Sequence, residues 1–360
     1  MQATDKYSAL QARFATSTLD NNHPRKALAI LAEGPYLTPA APRQFGGAGE
    51  SYLELASLCE ALGAVDTAAR TIVTIQSAIA AAILRWGTDE QKRRYVPPLA
   101  RGDLLGAIAF SEEGAGSDLS LVSSALNVER STLSGQKTWV SMGVDADLAL
   151  VLTRVEGGFS CWLVRLGPGV ERIAKYSDGM SHCGLADLRF DPSVPTRHEL
   201  LGPHGLALAT VVQTTLDVGR LCIAAGSAGI VRTTLELGVE RANDRAQGSS
   251  FLADHQITRQ RIATIAVALE TSEALVYRAA AAFAQADSDH RRLTWIAKYA
   301  AAAAADKSAR DVADMFGASG ISSESKITAL RHDAWLMTLI EGAPSLSEDV
   351  IGQMTLGKMK

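Results

Sequence analysis

A chain of 360 residues, 47% hydrophobic and 21% charged, has the composition of a soluble globular protein and the length to bury roughly three-quarters of its unfolded surface. Its net charge of −4 offers no basic footprint for nucleic acid and no polybasic cluster for a membrane surface. The polar opening, residues 1–6, lacks the pattern of a signal peptide, and Cys59, Cys161, Cys183 and Cys222 lack metal-ligand spacing, so reduced thiols, no metal and a cytoplasmic location are expected.

Over residues 27–102 apolar side chains recur at helical spacing, at Leu53, Leu58 and Leu62 and again at Ile72, Ile75, Ile79 and Leu84. Phe45-Gly46-Gly47-Ala48-Gly49 is turn chemistry ahead of the second run. Thr88-Asp89-Glu90-Gln91 has the form of a capping box, and Pro97-Pro98 is expected to end the helix it opens. Over residues 104–200 the texture changes to short alternating or apolar runs (148–153, 160–164, 186–190) divided by Gly, Asp, Ser and Pro, as in a small β-sheet or barrel. Helical patterns return from Leu206 to the end. The alanine-rich run at 299–305 is a strong helix former, too short to span a bilayer. Helices, then strands, then helices predict an α+β fold with domains at 1–103, 104–205 and 206–360 and no alternating βαβ pattern.

The β region opens on Ala109-Phe110-Ser111-Glu112-Glu113-Gly114-Ala115-Gly116-Ser117-Asp118. A Gly/Ser-rich strand exit can present N–H groups and hydroxyls to a carbonyl or phosphate, or it can be a plain surface turn. No G-x-G-x-x-G stands before a helix, which argues against a Rossmann site. In this stretch the chain resembles the acyl-CoA dehydrogenase family, whose middle-domain signature T/S-E-P-x-A-G-S-D reads here from Ser111 to Asp118 with Glu113 in place of proline. Further matches run over about residues 28–352: Gly87-Thr88-Asp89-Glu90-Gln91-Lys92, Gly135-Gln136-Lys137-Thr138-Trp139-Val140-Ser141, Leu216-Asp217-Val218-Gly219-Arg220, Arg331-His332-Asp333-Ala334 and Ile340-Glu341-Gly342.

The resemblance implies an N-terminal helical domain, a middle β-barrel or sheet domain and a C-terminal four-helix bundle, with FAD as cofactor and an acyl-CoA or acyl-carrier-protein substrate. Phe110 and Ser111 would then meet the flavin, Ser111 at its pyrimidine end. Ser117 would lie near the cofactor pyrophosphate and the substrate's pantetheine arm, Trp139 against the isoalloxazine edge, and Ser141 at N5. Without the resemblance these would be a core tryptophan on a strand and solvated serines. Glu341 would be the base for the α proton, which needs a positioned carboxylate in a dry pocket. Otherwise a glutamate before glycine is a helix-end charge. Some relatives carry the base where this chain has Gly219, which leaves Glu341. Asp217, Arg220 and Gly342 would shape the substrate pocket.

Arg245, His255 and Gln256 resemble residues that reach a neighbouring subunit's FAD, although Gly248-Ser249 replace the usual Phe-Gly. In the Q-x-x-G-G-x-G element, which supplies Gly317 and Ala318, Asp314 replaces glutamine and would repel a pyrophosphate unless turned away or offset by Arg245. Ala343-Pro344, ahead of Ser345, replace a Thr-Ser pair in the cofactor segment. A homodimer or homotetramer is implied, with flavin reoxidised by an electron-transferring flavoprotein or by oxygen. Three alternatives stand beside α,β-dehydrogenation: a carrier-protein-linked oxidation in polyketide extender-unit biosynthesis that is not simple desaturation, a flavin monooxygenase on the same fold, and a catalytically degenerate scaffold.

Overall fold

The computed structural model describes residues 3–15 and 23–358; Met1 and Gln2 of the polar opening lie outside the described residues. Five helices come first: α1 (Ala3–Ala15), α2 (His23–Ala32), α3 (Tyr52–Gly63), α4 (Thr67–Trp86) and α5 (Asp89–Arg101). Thr88 closes the capping box of α5, its Oγ1 accepting from Gln91 N at 3.2 Å while Gln91 Oε1 accepts from Thr88 N at 3.0 Å. Pro97 and Pro98 do not end this helix. It runs through both and stops at Gly102, whose φ of 77° suits glycine. Burial of Val96 and Leu99, with Gln76 donating to the Leu99 carbonyl, outweighs the backbone bonds that the prolines forfeit.

The middle region holds β1 (Gly106–Ala109), β2 (Ala125–Asn127), β3 (Thr132–Val140), β4 (Leu148–Val155), β5 (Gly158–Arg165), β6 (Val170–Ala174), β7 (Ala186–Phe190) and β8 (His198–Leu201). They form one sheet in the order β6-β7-β3-β2-β4-β5-β8, with β1 parallel beside β4. The period of two is visible in burial. Leu148, Leu150 and Leu152 join the core shared with the helices, while Ala149 and Val151 pack with Trp162, Val164 and Phe190 in a second core on the other face.

The C-terminal region comprises α6 (Val211–Asp244), a short hairpin of β9 (Ala246–Gln247) and β10 (Ser250–Phe251), α7 (Gln256–Ala284), α8 (His290–Phe316), α9 (Lys326–Leu339) and α10 (Pro344–Thr355). Helices α6, α7, α8 and α9 form the bundle, and α10 packs on α8. By length and composition α4 and α6 could cross a bilayer, but both are mostly buried inside the protein. All four cysteines are free and buried. Several alanines of α7 and α8 serve packing within the chain. Ala279, Ala280, Ala297, Ala301 and Ala305 are buried within the chain, where small side chains let these two helices approach closely. The outward side of α7 instead exposes Ile257 and Val267.

Candidate active site

Two corners carry the chemistry, and the first lies at the edge of the sheet. The pairing of β3 with β7 is irregular between Lys137 and Val140, and within that irregularity Trp139 has a φ of 54° and is 55% exposed. A bulge re-aims a side chain in this way, and the cost of a left-handed tryptophan is met by anchoring. Asp187 on β7 accepts at Oδ1 from Thr138 Oγ1 at 2.7 Å and from Trp139 N at 3.2 Å. Lys175 pairs with Asp187 at 3.1 Å and lies 5.4 Å from the centroid of the Trp139 ring. Ser111 is brought alongside, its carbonyl accepting from Thr138 N at 3.0 Å. Ser111 and Ser141 are both half-buried.

Beneath Ser111 lies a pair that motif reading left without a role. Lys137, fully buried, donates to Glu112 Oε1 at 2.7 Å and to the carbonyl of buried Phe110 at 3.2 Å. Glu112 also accepts from Ser123 N, Ser123 Oγ and Ser124 N at 2.9, 2.7 and 3.0 Å. Burial pushes the Glu112 carboxyl up, but Lys137 and the serines outweigh it and draw it down to about 2. The loop beyond is open. Side-chain carbons added at Gly114 or Gly116 would meet nothing, and Ser117 is exposed.

The second corner is the α9–α10 junction. Glu341 turns left-handed with a φ of 56°, and its N–H has no backbone acceptor among the described residues. The residue as a whole is half-buried, but its Oε2 is inaccessible and without a hydrogen-bond partner. The carboxylate lies against the bare backbone of Gly219, where a Cβ would stand 2.5 Å from Oε1. Burial raises its pKa to about 7, against the pull of Arg220 and Lys298.

Asp217 and Arg220 are buried and act on this turn. Arg220 Nε donates to the Glu341 carbonyl at 3.0 Å, NH1 to Asp217 Oδ1 at 3.0 Å, and its guanidinium stacks 3.7 Å from the Trp295 ring centroid. Arg291 holds the other Asp217 oxygen at 3.0 Å. Gly342, with a φ of 122°, leaves room for Trp295, which a Cβ there would meet at 2.5 Å. Lys298, unnoticed in the sequence, is buried on α8 and donates to the carbonyls of Thr338 and Gly342. Burial lowers its pKa to about 8. The available signal was a lone cation at a position where Ala297, Ala301 and Ala302 mark a buried face. Ala343 is the uncapped start of α10, with Ser345 exposed in its first turn.

The two corners are tied by the segment between β6 and β7. Met142 N donates to Cys183 O at 2.7 Å, and Met180 N to Asp333 Oδ1 on α9 at 2.6 Å. The other Asp333 oxygen accepts from Thr67 Oγ1 at 2.5 Å, so α4, α9 and the sheet meet there. A cleft of about 730 Å³ bordered by Tyr95, Arg165, Arg197 and His198 contains none of these side chains.

The remaining predicted cofactor residues lie elsewhere. Arg245 is exposed just past the end of α6, His255 and Gln256 begin α7, and Asp314, Gly317 and Ala318 are exposed at the end of α8. Along α6, Gly219 and Arg245 are about 39 Å apart. One chain therefore does not bring this set together with Glu341. His255 Nε2 is buried without a partner.

The first corner has the donor set that a flavin requires. An exposed tryptophan offers a flat apolar face, hydroxyls of Ser111 and Ser141 border it, and an open glycine loop can approach a phosphate. The residues fit the group.

Comparison with known proteins gives a consistent result. Residues 8–103, 107–193 and 209–355 match in turn the N-terminal, middle and C-terminal domains of acyl-CoA dehydrogenases. A glutaryl-CoA dehydrogenase of Desulfococcus multivorans is 27% identical over 354 residues, covering 95% of this chain and 91% of its own. The caffeyl-CoA reductase-Etf complex subunit CarC of Acetobacterium woodii is 26% identical over 345 residues, covering 93% and 90%. Among solved structures, FkbI, described as serving biosynthesis of the methoxymalonyl extender unit of the Fk520 polyketide, superposes with a TM-score of 0.86 at 26% identity, covering 99% of this chain and 98% of its own.

Proposed function

The chain belongs to the acyl-CoA dehydrogenase family, FAD-using oxidoreductases that act on CH–CH groups, and on that footing we propose that it removes two hydrogens from the α and β carbons of an acyl thioester, with Glu341 as the base. The observation that carries this is the partnerless Glu341 Oε2, sealed from water against Gly219. A buried carboxyl with a pKa of about 7 is basic enough to take an α proton, is about half ionised at neutral pH and is largely ionised at mildly alkaline pH.

Arg220 and Lys298 temper the cost of that ionisation without bonding the carboxylate, since both donate to nearby carbonyls. The unengaged Glu341 N–H is available for the thioester oxygen, where negative charge develops. Asp217 acts one step back, fixing Arg220 and through it the turn. Ser111, Trp139 and Ser141 would hold the flavin ring, with Phe110 behind Ser111. Bound FAD supplies the two-electron acceptor.

The distance between Glu341 and Arg245 supports a homo-oligomer in which the latter's end of the bundle serves a neighbour's cofactor. Likeness to CarC supports an electron-transferring flavoprotein as the oxidant of the reduced enzyme. A second reading, oxidation of a thioester held on an acyl carrier protein, is favoured by the likeness to FkbI. The test is anaerobic bleaching of the purified yellow protein by acyl-CoA and acyl-carrier-protein thioesters. Bleaching by the carrier-protein forms alone selects the second reading. Bleaching only by NAD(P)H or reduced flavin would instead indicate a monooxygenase, and protein that cannot be loaded with FAD would indicate a scaffold.

A further inference from the structure

The cleft of about 730 Å³ that stands apart from both corners has a charge pattern of its own. Strands β5 and β8 pair antiparallel with Val164 opposite His198. The ladder runs one step further, Arg165 N donating to the Arg197 carbonyl at 2.9 Å. Arg165 and Arg197 therefore stand directly opposite each other, their side chains on one face of the sheet and their Cβ atoms about 5 Å apart. Both are exposed and both border the cleft. Like charges so placed repel and cost stability. Charge on the edge strand β8 discourages stray pairing, but that purpose does not call for a second arginine opposite it on β5.

Among the described residues neither guanidinium pairs with a carboxylate, and the nearby acids are engaged elsewhere. Asp103 pairs with Arg101 at 2.7 Å, and Glu199 accepts from Arg94 and from the Tyr95 hydroxyl at 2.6 Å each. Asp147 feels the charge of Arg165, but its oxygens accept from Arg25 at 3.1 Å and from Leu105 N at 2.8 Å. Arginine cannot shed its proton to relieve the repulsion. Two permanent positive charges thus face one opening, on a chain whose net charge is −4. Buried Tyr95 and Leu104, with half-buried Pro98, give the cleft an apolar wall beside them.

We propose that this cleft binds a small molecule of about nucleotide size through a phosphate group held between Arg165 and Arg197. A phosphate monoester carries close to two negative charges at neutral pH and offers three oxygens, enough for both guanidinium forks, whereas a single carboxylate leaves one charge unanswered. The volume is that of a small-molecule site and exceeds what a bare ion fills, and the wall of Tyr95, Pro98 and Leu104 suits the body of such a ligand. Ser131, which borders the cleft, and Trp139 lie eight residues apart along β3, about 25 Å of extended chain. The ligand is therefore held away from the flavin corner.

The test is calorimetric titration of the FAD-loaded protein with inorganic phosphate, pyrophosphate and ADP, in chloride of matched ionic strength. One site per chain is expected, filled by ADP at least about 10-fold more tightly than by inorganic phosphate. Arg165→Gln and Arg197→Gln should each weaken binding about 10- to 100-fold, and the double variant should lose it. Lysine at either position, which keeps the charge and loses the fork, should retain part of the affinity. Without ligand the glutamine variants should keep FAD and the parental rate of bleaching by thioester, and should melt no lower than the parent, because a like-charge pair has been relieved. No saturation by any of the three probes at about 10 mM overturns the proposal. So does ADP binding that survives in the double variant, which places the ligand elsewhere, and so does a loss of FAD or of bleaching in the unliganded variants, which assigns the arginines to the fold. Citrate bound as tightly as ADP, and lost in the double variant, overturns the assignment to phosphate in favour of carboxylates.

Discussion

Glu341→Gln keeps the shape of the side chain and removes its basicity. With a thioester that reduces the parent, flavin bleaching should fall about 10²–10⁴-fold, while thioester affinity changes much less because the Glu341 N–H is retained. Stability should move the other way. Burial raises the carboxyl from 4.5 to about 7, which at about 1.36 kcal/mol per unit is a cost of about 3 kcal/mol when it is ionised. The folded pKa lies above the unfolded one, so between these values the folded protein keeps a proton that the unfolded chain has released. Stability therefore falls as pH rises through that window, and the full cost is present above about 7. Glutamine never ionises, but its buried amide lacks partners, which takes back about 1–2 kcal/mol. The variant should gain on the parent by about 2 kcal/mol between pH 5 and pH 8, read from urea unfolding of FAD-loaded protein at both. Near-parental bleaching would show that the base is elsewhere. A stability difference identical at the two pH values would show that the carboxyl is not raised.

Gly219→Ala drives a Cβ into the Glu341 carboxylate at 2.5 Å, so bleaching should collapse with FAD retained, at an overpacking cost of about 1–3 kcal/mol by thermal melt. For the same reason Gly219→Glu can supply a base only together with Glu341→Gly, and the double variant should bleach faster than Glu341→Gly alone. Glu112→Gln strands Lys137 in the sheet and should lower stability by about 3–5 kcal/mol at pH 7. Because the folded Glu112 pKa is depressed to about 2, its contribution is full above about 4.5 and fades as pH falls toward 2, so parent and variant should converge in acid melts. Light scattering on dilution should show a dimer or larger, and Val267→Asp on the exposed side of α7 should dissociate it with loss of FAD; a parent that remains active and FAD-bound as a monomer would refute this.

The order of domains was legible because the apolar period changes from helical to alternating and back, and each change lies in contiguous residues such as 148–153. Trp139 and Glu341 were legible as members of ordered motifs. Their conformations were not. A left-handed φ at either residue is imposed by Asp187 on another strand and by Arg220 and Lys298 on other helices, and no local spacing encodes those partners. Pro97-Pro98 misled because local propensity was read where burial of Val96 and Leu99 decides.

The least legible features are the buried cations, and their partners explain why. Lys137 reaches Glu112 and the Phe110 carbonyl, and Lys298 reaches the carbonyls of Thr338 and Gly342; each bond crosses from one element to a distant one. Both lysines satisfy carbonyls in turns that cannot bond themselves regularly, and those turns carry Ser111 and Glu341. The chemistry sits on irregular backbone, and irregular backbone in a dry interior leaves acceptors that only a donor from elsewhere can meet. A lysine with three donors on a long stem is suited to that task.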